Sequence, residues 1–321
     1  MCIVDSTFCA GILKKTGDLD VSSNPRSLFR MPADTDPRAH FGGKRVAINL
    51  VVNVEHWPFD RPMPRGLMTP PHGKGGEPPD VANFSWVEYG LRRGMPRLLA
   101  ALGDRGLRAS ATMNSSVVEV YPAVAERIGE ANWDILAHGV IQQSLKTVDD
   151  ERAVIERSVA QLEGYYGRRI RGWLGPGIAQ TAHTAEYLKA VGLEYTHDWM
   201  IDDQPTWLST ALGPLLALPY TLELNDVPIW AIQAHSSDTL LRRVQDSCAV
   251  LSREADRMTQ VLTIALHPHL VAVPHRLPYF EALLDFLLDR NDVIFATSDQ
   301  LADWFVATCP AETASITAGG S

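Results

Sequence analysis

The residues with the clearest chemical potential close short apolar runs. Asn53 and Glu55 end the run Arg45-Val46-Ala47-Ile48-Asn49-Leu50-Val51-Val52-Asn53-Val54-Glu55, and their spacing of two puts both side chains on one face of a strand. His138 ends Trp133-Asp134-Ile135-Leu136-Ala137 and is followed at once by Gly139. His267 ends a later run from Val261, and Pro268 stops regular pairing beyond it. Asn225 and Asp226 follow the turn Pro219-Tyr220-Thr221. A carboxylate, two imidazoles and amides gathered at one place suit activation of water and protonation of a leaving group, the chemistry of hydrolysis. Each histidine also has a structural reading. A strand-end imidazole can be a hydrogen-bonded core group, His267-Pro268-His269 can be a surface turn, and His56, His197 and His235 read as bystanders. Glu55 is harder to read as packing, because a buried carboxylate costs several kcal/mol unless it is paired or functional.

These positions need a scaffold that brings strand ends together. Apolar runs predict strands at 45–55, 107–113, 133–138, 170–174, 194–198, 215–219, 261–267 and 292–296. Helical periodicity falls between them, at 86–102, 119–129, 149–166, 182–191, 239–257, 276–290 and 298–306. Such alternation implies a parallel sheet covered by helices. The number of units, with no Gly-x-Gly-x-x-Gly turn after the first strand, favours an α/β barrel over a dinucleotide-binding sheet. The predicted domain runs from 44 to 306, after an irregular Pro-, Ser-, Asp- and Gly-rich extension over 1–43 and before a tail over 307–321. Pro58–Asp80 is an unusually long Pro/Gly-rich loop, placed to cover the barrel mouth or to mediate subunit contacts.

Composition narrows the partners. The 321 residues are 45% apolar and 21% charged, ordinary for a globular protein, and the net charge of −9 argues against nucleic acid as a partner. The four cysteines, Cys2, Cys9, Cys248 and Cys309, form no CxxC pair, so neither a zinc ribbon nor a disulfide framework is indicated, and a reducing cytoplasm fits. No run approaches bilayer-spanning length, and the start of the chain makes a poor signal peptide. A small-molecule substrate is the expected partner.

The order of these motifs resembles the polysaccharide deacetylase (NodB-homology) superfamily. The resemblance rests on Asn53-Val54-Glu55, Ala137-His138-Gly139, Gly172-Trp173-Leu174-Gly175-Pro176 and Leu266-His267-Pro268. It is closest to the branch of allantoinase-like and cyclic-imide hydrolases, through Glu88-Tyr89-Gly90 with Gly94 and Arg97-Leu98-Leu99, through Pro219-Tyr220-Thr221-Leu222 with Asn225-Asp226, and through Asp202-Asp203-Gln204-Pro205 with Trp207. It implies a distorted (β/α)7-8 barrel of the polysaccharide deacetylase type that hydrolyses a carbon–nitrogen bond outside peptides. Metal-using members hold the ion with an Asp and two His in a His-x-x-x-His arrangement, while another Asp is the base. Transferred by position, Glu55 stands for the ligating Asp, Asn53 for the base, His138 for the first histidine, Gln142 for the second and His267 for the late one. A different register makes Glu55 the base and His56 a ligand.

The departures redirect the expectation. An amide oxygen is a feeble zinc ligand, and Asn53 cannot act as a base. The expected enzyme therefore opens a small cyclic amide, ureide or imide without a cofactor, although a divalent metal such as zinc on Glu55, His56 and His138 stays open. Glu55, His138 and His267 are the expected catalytic residues. Asn53, Glu88, Gln142, Trp173, Asn225 and Asp226 are expected to hold substrate. The alternatives are an N-deacetylase of an amino sugar or other N-acyl compound, and a catalytically inert small-molecule-binding barrel. The resemblance also implies a homo-oligomer.

Overall fold

A computed structural model describes residues 39–65 and 77–311, with 24–27, 29 and 31 besides. Cys2 and Cys9, most of the 1–43 extension, the centre of the 58–80 loop and residues 312–321 of the tail lie outside the described residues.

Among the described residues nine strands build one sheet: β1 (Val46–Val54), β2 (Ser110–Met113), β3 (Asp134–Ala137), β4 (Gly172–Trp173), β5 (Tyr195–Thr196), β6 (Thr206–Leu208), β7 (Leu215–Ala217), β8 (Gln260–Leu266) and β9 (Val293–Phe295). Their order is β6-β7-β5-β4-β3-β2-β1-β8, with β9 also on β1. All pairings are parallel except β6 with β7, and the predicted elements contain no counterpart of β6. The sheet curls into the distorted barrel. Its two end strands approach through irregular contacts, where the Val261 N–H donates to the Asp203 carbonyl at 2.8 Å and Asn225 bridges to Ala265.

Helices cover the outside: α1 (Val81–Tyr89), α2 (Met95–Gly103), α3 (Val117–Val120), α4 (Pro122–Glu130), α5 (Glu151–Tyr166), α6 (Thr184–Ala190), α7 (Thr239–Glu254), α8 (Pro268–Val271), α9 (Leu277–Leu288) and α10 (Ser298–Thr308). Among the described residues no helix is long and apolar enough to cross a membrane.

β1 explains the layout. All nine of its residues are buried, because each of its faces has a partner. Val46, Ile48, Leu50, Val52 and Val54 join the core beneath the helices. The alternate positions face the barrel interior and make layers there. Ala47 sits in an apolar base with Leu136, Leu216 and Phe305, and Val51 packs with Leu174, Tyr220 and Ala265. Between these layers, Asn49 donates to the Ser298 hydroxyl at 3.0 Å. One edge of β1 pairs with β8 over Val46–Val52, while the other pairs with β9 over Val46–Ile48 and with β2 over Val51–Val54. The start of α10 enters where that edge changes partner, and the Ser298 N–H donates to the Ser110 hydroxyl at 2.8 Å.

The motif Glu88-Tyr89-Gly90 with Gly94 has a packing role. A π-helical turn, Gly90–Gly94, joins α1 to α2, and Cβ atoms on either glycine would collide with the backbone of Pro268 and His269. Without those side chains α8 lies directly against the turn, which fixes the segment that follows His267.

Candidate active site

Glu55 directly follows β1 and keeps the inward parity of Asn49, Val51 and Asn53. It is 5% exposed. The indole of Trp57 folds back and donates to Glu55 Oε2 at 2.7 Å. Oε1 faces two imidazoles, with His138 Nε2 at 3.7 Å and His267 Nε2 at 3.5 Å. Burial by itself would raise the carboxyl, but the two histidines outweigh it and hold Glu55 well below the usual carboxylate range. Glu55 is therefore an anion at neutral pH.

His267 is set by Asp226, which lies wholly buried behind it. One carboxylate oxygen takes the His267 backbone N–H and the other takes Nδ1–H, both at 2.6 Å. Burial pulls this imidazole down, but Asp226 and then Glu55 outweigh it and push it up to about 9. His267 is thus a cation with Nε2–H directed at the centre of the site, an acid held ready. His138 has a different partner. Its Nδ1 lies 2.5 Å from the Leu174 carbonyl, which can only accept, so Nδ1 carries a proton. Its Nε2 is buried and has no hydrogen-bond partner among the described residues.

These groups line a cavity of about 130 Å³ at the carboxyl end of the strands. Asn53, Tyr220 and Asn225 add polar atoms, Arg65 adds a cation at the side of the long loop, and Leu174, Ile178, Val227 and Ile232 form apolar walls. The cavity can hold a small polar molecule against an anion and an acid, with a water between them.

The structure brings five of the sequence-predicted residues to this cavity: Glu55, His138, His267, Asn53 and Asn225. Four others lie elsewhere than expected. Glu88 is on α1, half-buried and paired with Arg92 at 2.7 Å, and is not among the residues that line the cavity. Trp173 is fully buried in the core beneath the helices, since its parity on β4 turns it away from the cavity. Gln142 is buried with its amide oxygen on Asn114 Nδ2 at 3.4 Å, away from the cavity wall. Asp226 acts through His267 and does not line the cavity. Trp57 and Arg65 did not stand out in the sequence, and Tyr220 entered only as part of a turn motif without a role of its own, although Trp57 shares the alternating parity that singled out Glu55.

Residues 82–196 match the family model described as polysaccharide deacetylase. A putative polysaccharide deacetylase of Schizosaccharomyces pombe is 25% identical over 309 residues, spanning 87% of this chain and 95% of that one. Over these residues the chain is similar to the polysaccharide deacetylase family. Among solved structures, Puue allantoinase superposes with a TM-score of 0.77 at 23% identity, covering 87% of this chain and 96% of that one. A probable polysaccharide deacetylase from Pseudomonas aeruginosa PAO1 gives the same TM-score and identity over 87% and 97%. At such identities the likeness is one of fold.

Deacetylases of this family typically use a divalent metal, and the donors of this chain do not match that set. Gln142, which the sequence resemblance sets in the place of the second histidine, accepts from Asn114 Nδ2 at 3.4 Å. The open assignment of His56 to a metal is also corrected. Its Nδ1 is 2.8 Å from the Ser116 hydroxyl and its ring stands edge-on to Tyr121, so it does not meet Glu55 and His138. His267 meets Glu55 through Nε2, while its Nδ1 is taken by Asp226. Among the described residues no three His, Cys, Asp or Glu side chains are arranged to hold a metal ion.

Proposed function

We propose that this hydrolase opens a small cyclic amide, ureide or imide. The observation that carries the reading is the cavity itself, about 130 Å³, with an ionised carboxylate and a protonated imidazole converging on one point. Such a space suits a single ring, whereas a polysaccharide strand calls for an open groove.

In this reaction Glu55 Oε1 takes a proton from a water held between it and His138 Nε2. The water oxygen bonds to the ring carbonyl carbon, and the carbon–nitrogen bond then breaks. His267 Nε2 gives its proton to the departing nitrogen, and Asp226 keeps the imidazole oriented and charged until that moment. The product is an open chain with a new carboxylate and a freed amide or urea nitrogen.

The family match and the yeast relative favour a second reading, an N-deacetylase of an amino sugar. One experiment separates the two. The purified protein is offered cyclic imides, ureides and N-acetylated sugars, with chelator and with added zinc or cobalt. Ring opening that is indifferent to chelator is the expected result. Turnover confined to N-acetylated sugars and stimulated by metal would overturn the proposal.

A further inference from the structure

The hydroxyl of Tyr220 is part of the cavity wall, and its hydrogen-bond geometry leaves one group unspent. A phenol oxygen accepts two hydrogen bonds and donates one. Asn53 Nδ2 reaches it at 3.3 Å and Asn225 Nδ2 at 3.4 Å. Both amides are fixed the right way round by groups that cannot change role. The Leu266 carbonyl, 3.2 Å from Asn53 Nδ2, can only accept, so an NH2 must lie there. The other end of the Asn53 amide then accepts from the Thr112 hydroxyl at 2.8 Å. The Val227 N–H, 2.9 Å from Asn225 Oδ1, can only donate, so an oxygen must lie there. Two N–H groups thus fill the acceptor side of the phenol. No described residue is seen to accept its proton, and the ring is packed on Val51, Leu174 and Ala265. Among the described residues, what is left for the O–H is the cavity that Tyr220 lines with Glu55, His138 and His267.

We infer that the Tyr220 hydroxyl is a catalytic hydrogen-bond donor to the carbonyl oxygen of the substrate, and that it holds the charge that develops there. Burial pushes its phenol up, so it remains a donor throughout the working range. The two amides behind it polarise the O–H bond without taking its proton. As water adds, the carbonyl oxygen gains negative charge and the hydrogen bond from Tyr220 strengthens, while no proton leaves the phenol. Asn53, which stands where the family would carry its base, becomes a positioning residue for this donor.

The inference rests on the hydrolytic reading only in requiring a carbonyl substrate, whichever carbonyl that is. The test reads the carbonyl stretch of bound succinimide, and separately of N-acetylglucosamine, by infrared difference spectroscopy. It compares Glu55→Gln protein with Glu55→Gln/Tyr220→Phe protein. The expected result is a lowered carbonyl frequency that disappears without the hydroxyl. In the otherwise intact enzyme Tyr220→Phe lowers kcat about 10²–10³-fold with KM little changed. Fluorinated tyrosines placed at 220 retain both amide contacts, and kcat should rise as the phenol becomes more acidic, a trend that a purely structural hydroxyl would not produce. A shift seen only with the sugar would overturn the ring-opening proposal and uphold Tyr220. A carbonyl band indifferent to the hydroxyl with both ligands, or a Tyr220→Phe enzyme with kcat near wild type, would overturn the assignment of Tyr220.

Discussion

His138 and His197 occupy similar places and end differently. Each follows a strand of the same sheet, β3 and β5, and each offers Nδ1–H to a backbone carbonyl, that of Leu174 or of Pro219. His197 is then finished by the chain. Its Nε2 accepts from the Ser298 hydroxyl at 3.0 Å, and that hydroxyl accepts from Asn49 in turn. Burial pushes His197 down to about 4, so the ring stays neutral and every polar atom of this layer has a partner. The Nε2 of His138 has none among the described residues, and faces Glu55 across the cavity. A completed network rigidifies a barrel, whereas an open valence in a buried, charged setting is stored for a ligand.

The comparison can be tested in order of effect. Glu55→Gln removes the charge around which the open site is built, and kcat should fall about 10³-fold while circular dichroism stays native, since the amide can still accept from Trp57. His138→Gln should lower kcat about 10²-fold with little change in unfolding midpoint. His197→Gln should do the reverse, losing about 1–3 kcal/mol in denaturant unfolding with near-normal kcat. If both substitutions act alike, the contrast between the two rings is wrong.

Asp226→Asn is read in the pH profile. His267 is raised when folded, so its contribution to stability is complete below an ordinary histidine pKa of about 6.5 and disappears as pH rises through about 9. The acid it supplies is lost over that same alkaline limb. Without the Asp226 charge, the limb of kcat should move down toward neutrality, as measured by initial rates across pH. Glu88→Gln tests the smallest claim. Its exposed pair with Arg92 predicts unchanged turnover and a stability change within about 0.5 kcal/mol in thermal melts.

The strands that hold the site were legible because two-sided burial leaves unbroken apolar runs, as in β1 and β8. β6 was hidden, since three residues in an antiparallel pair leave no periodic trace. Within the site, parity on β1 revealed Asn53 and Glu55, and strand ends revealed His138 and His267. Spacing could not tell that Trp173 faces the helices and that Glu88 lies away from the cavity, because both depend on how a strand or helix is rotated against its neighbours. The role of Tyr220 was not legible, because it lies in two amides brought to its hydroxyl by the fold, one of them oriented by a carbonyl distant in sequence.

The ladder of β1 has a consequence for motion. Seven of its residues pair with β8, and its other edge is filled by β9 and β2, whereas β4 and β5 are two residues each. Amide hydrogens of β1 should therefore exchange only through global opening, and those of residues 172–178 through local fraying. The cavity has one stiff wall, which carries the carboxylate, and one soft wall, which carries Leu174 and Ile178. Admission of a ring can then be retuned by changing the soft wall, while the reacting centre keeps its alignment.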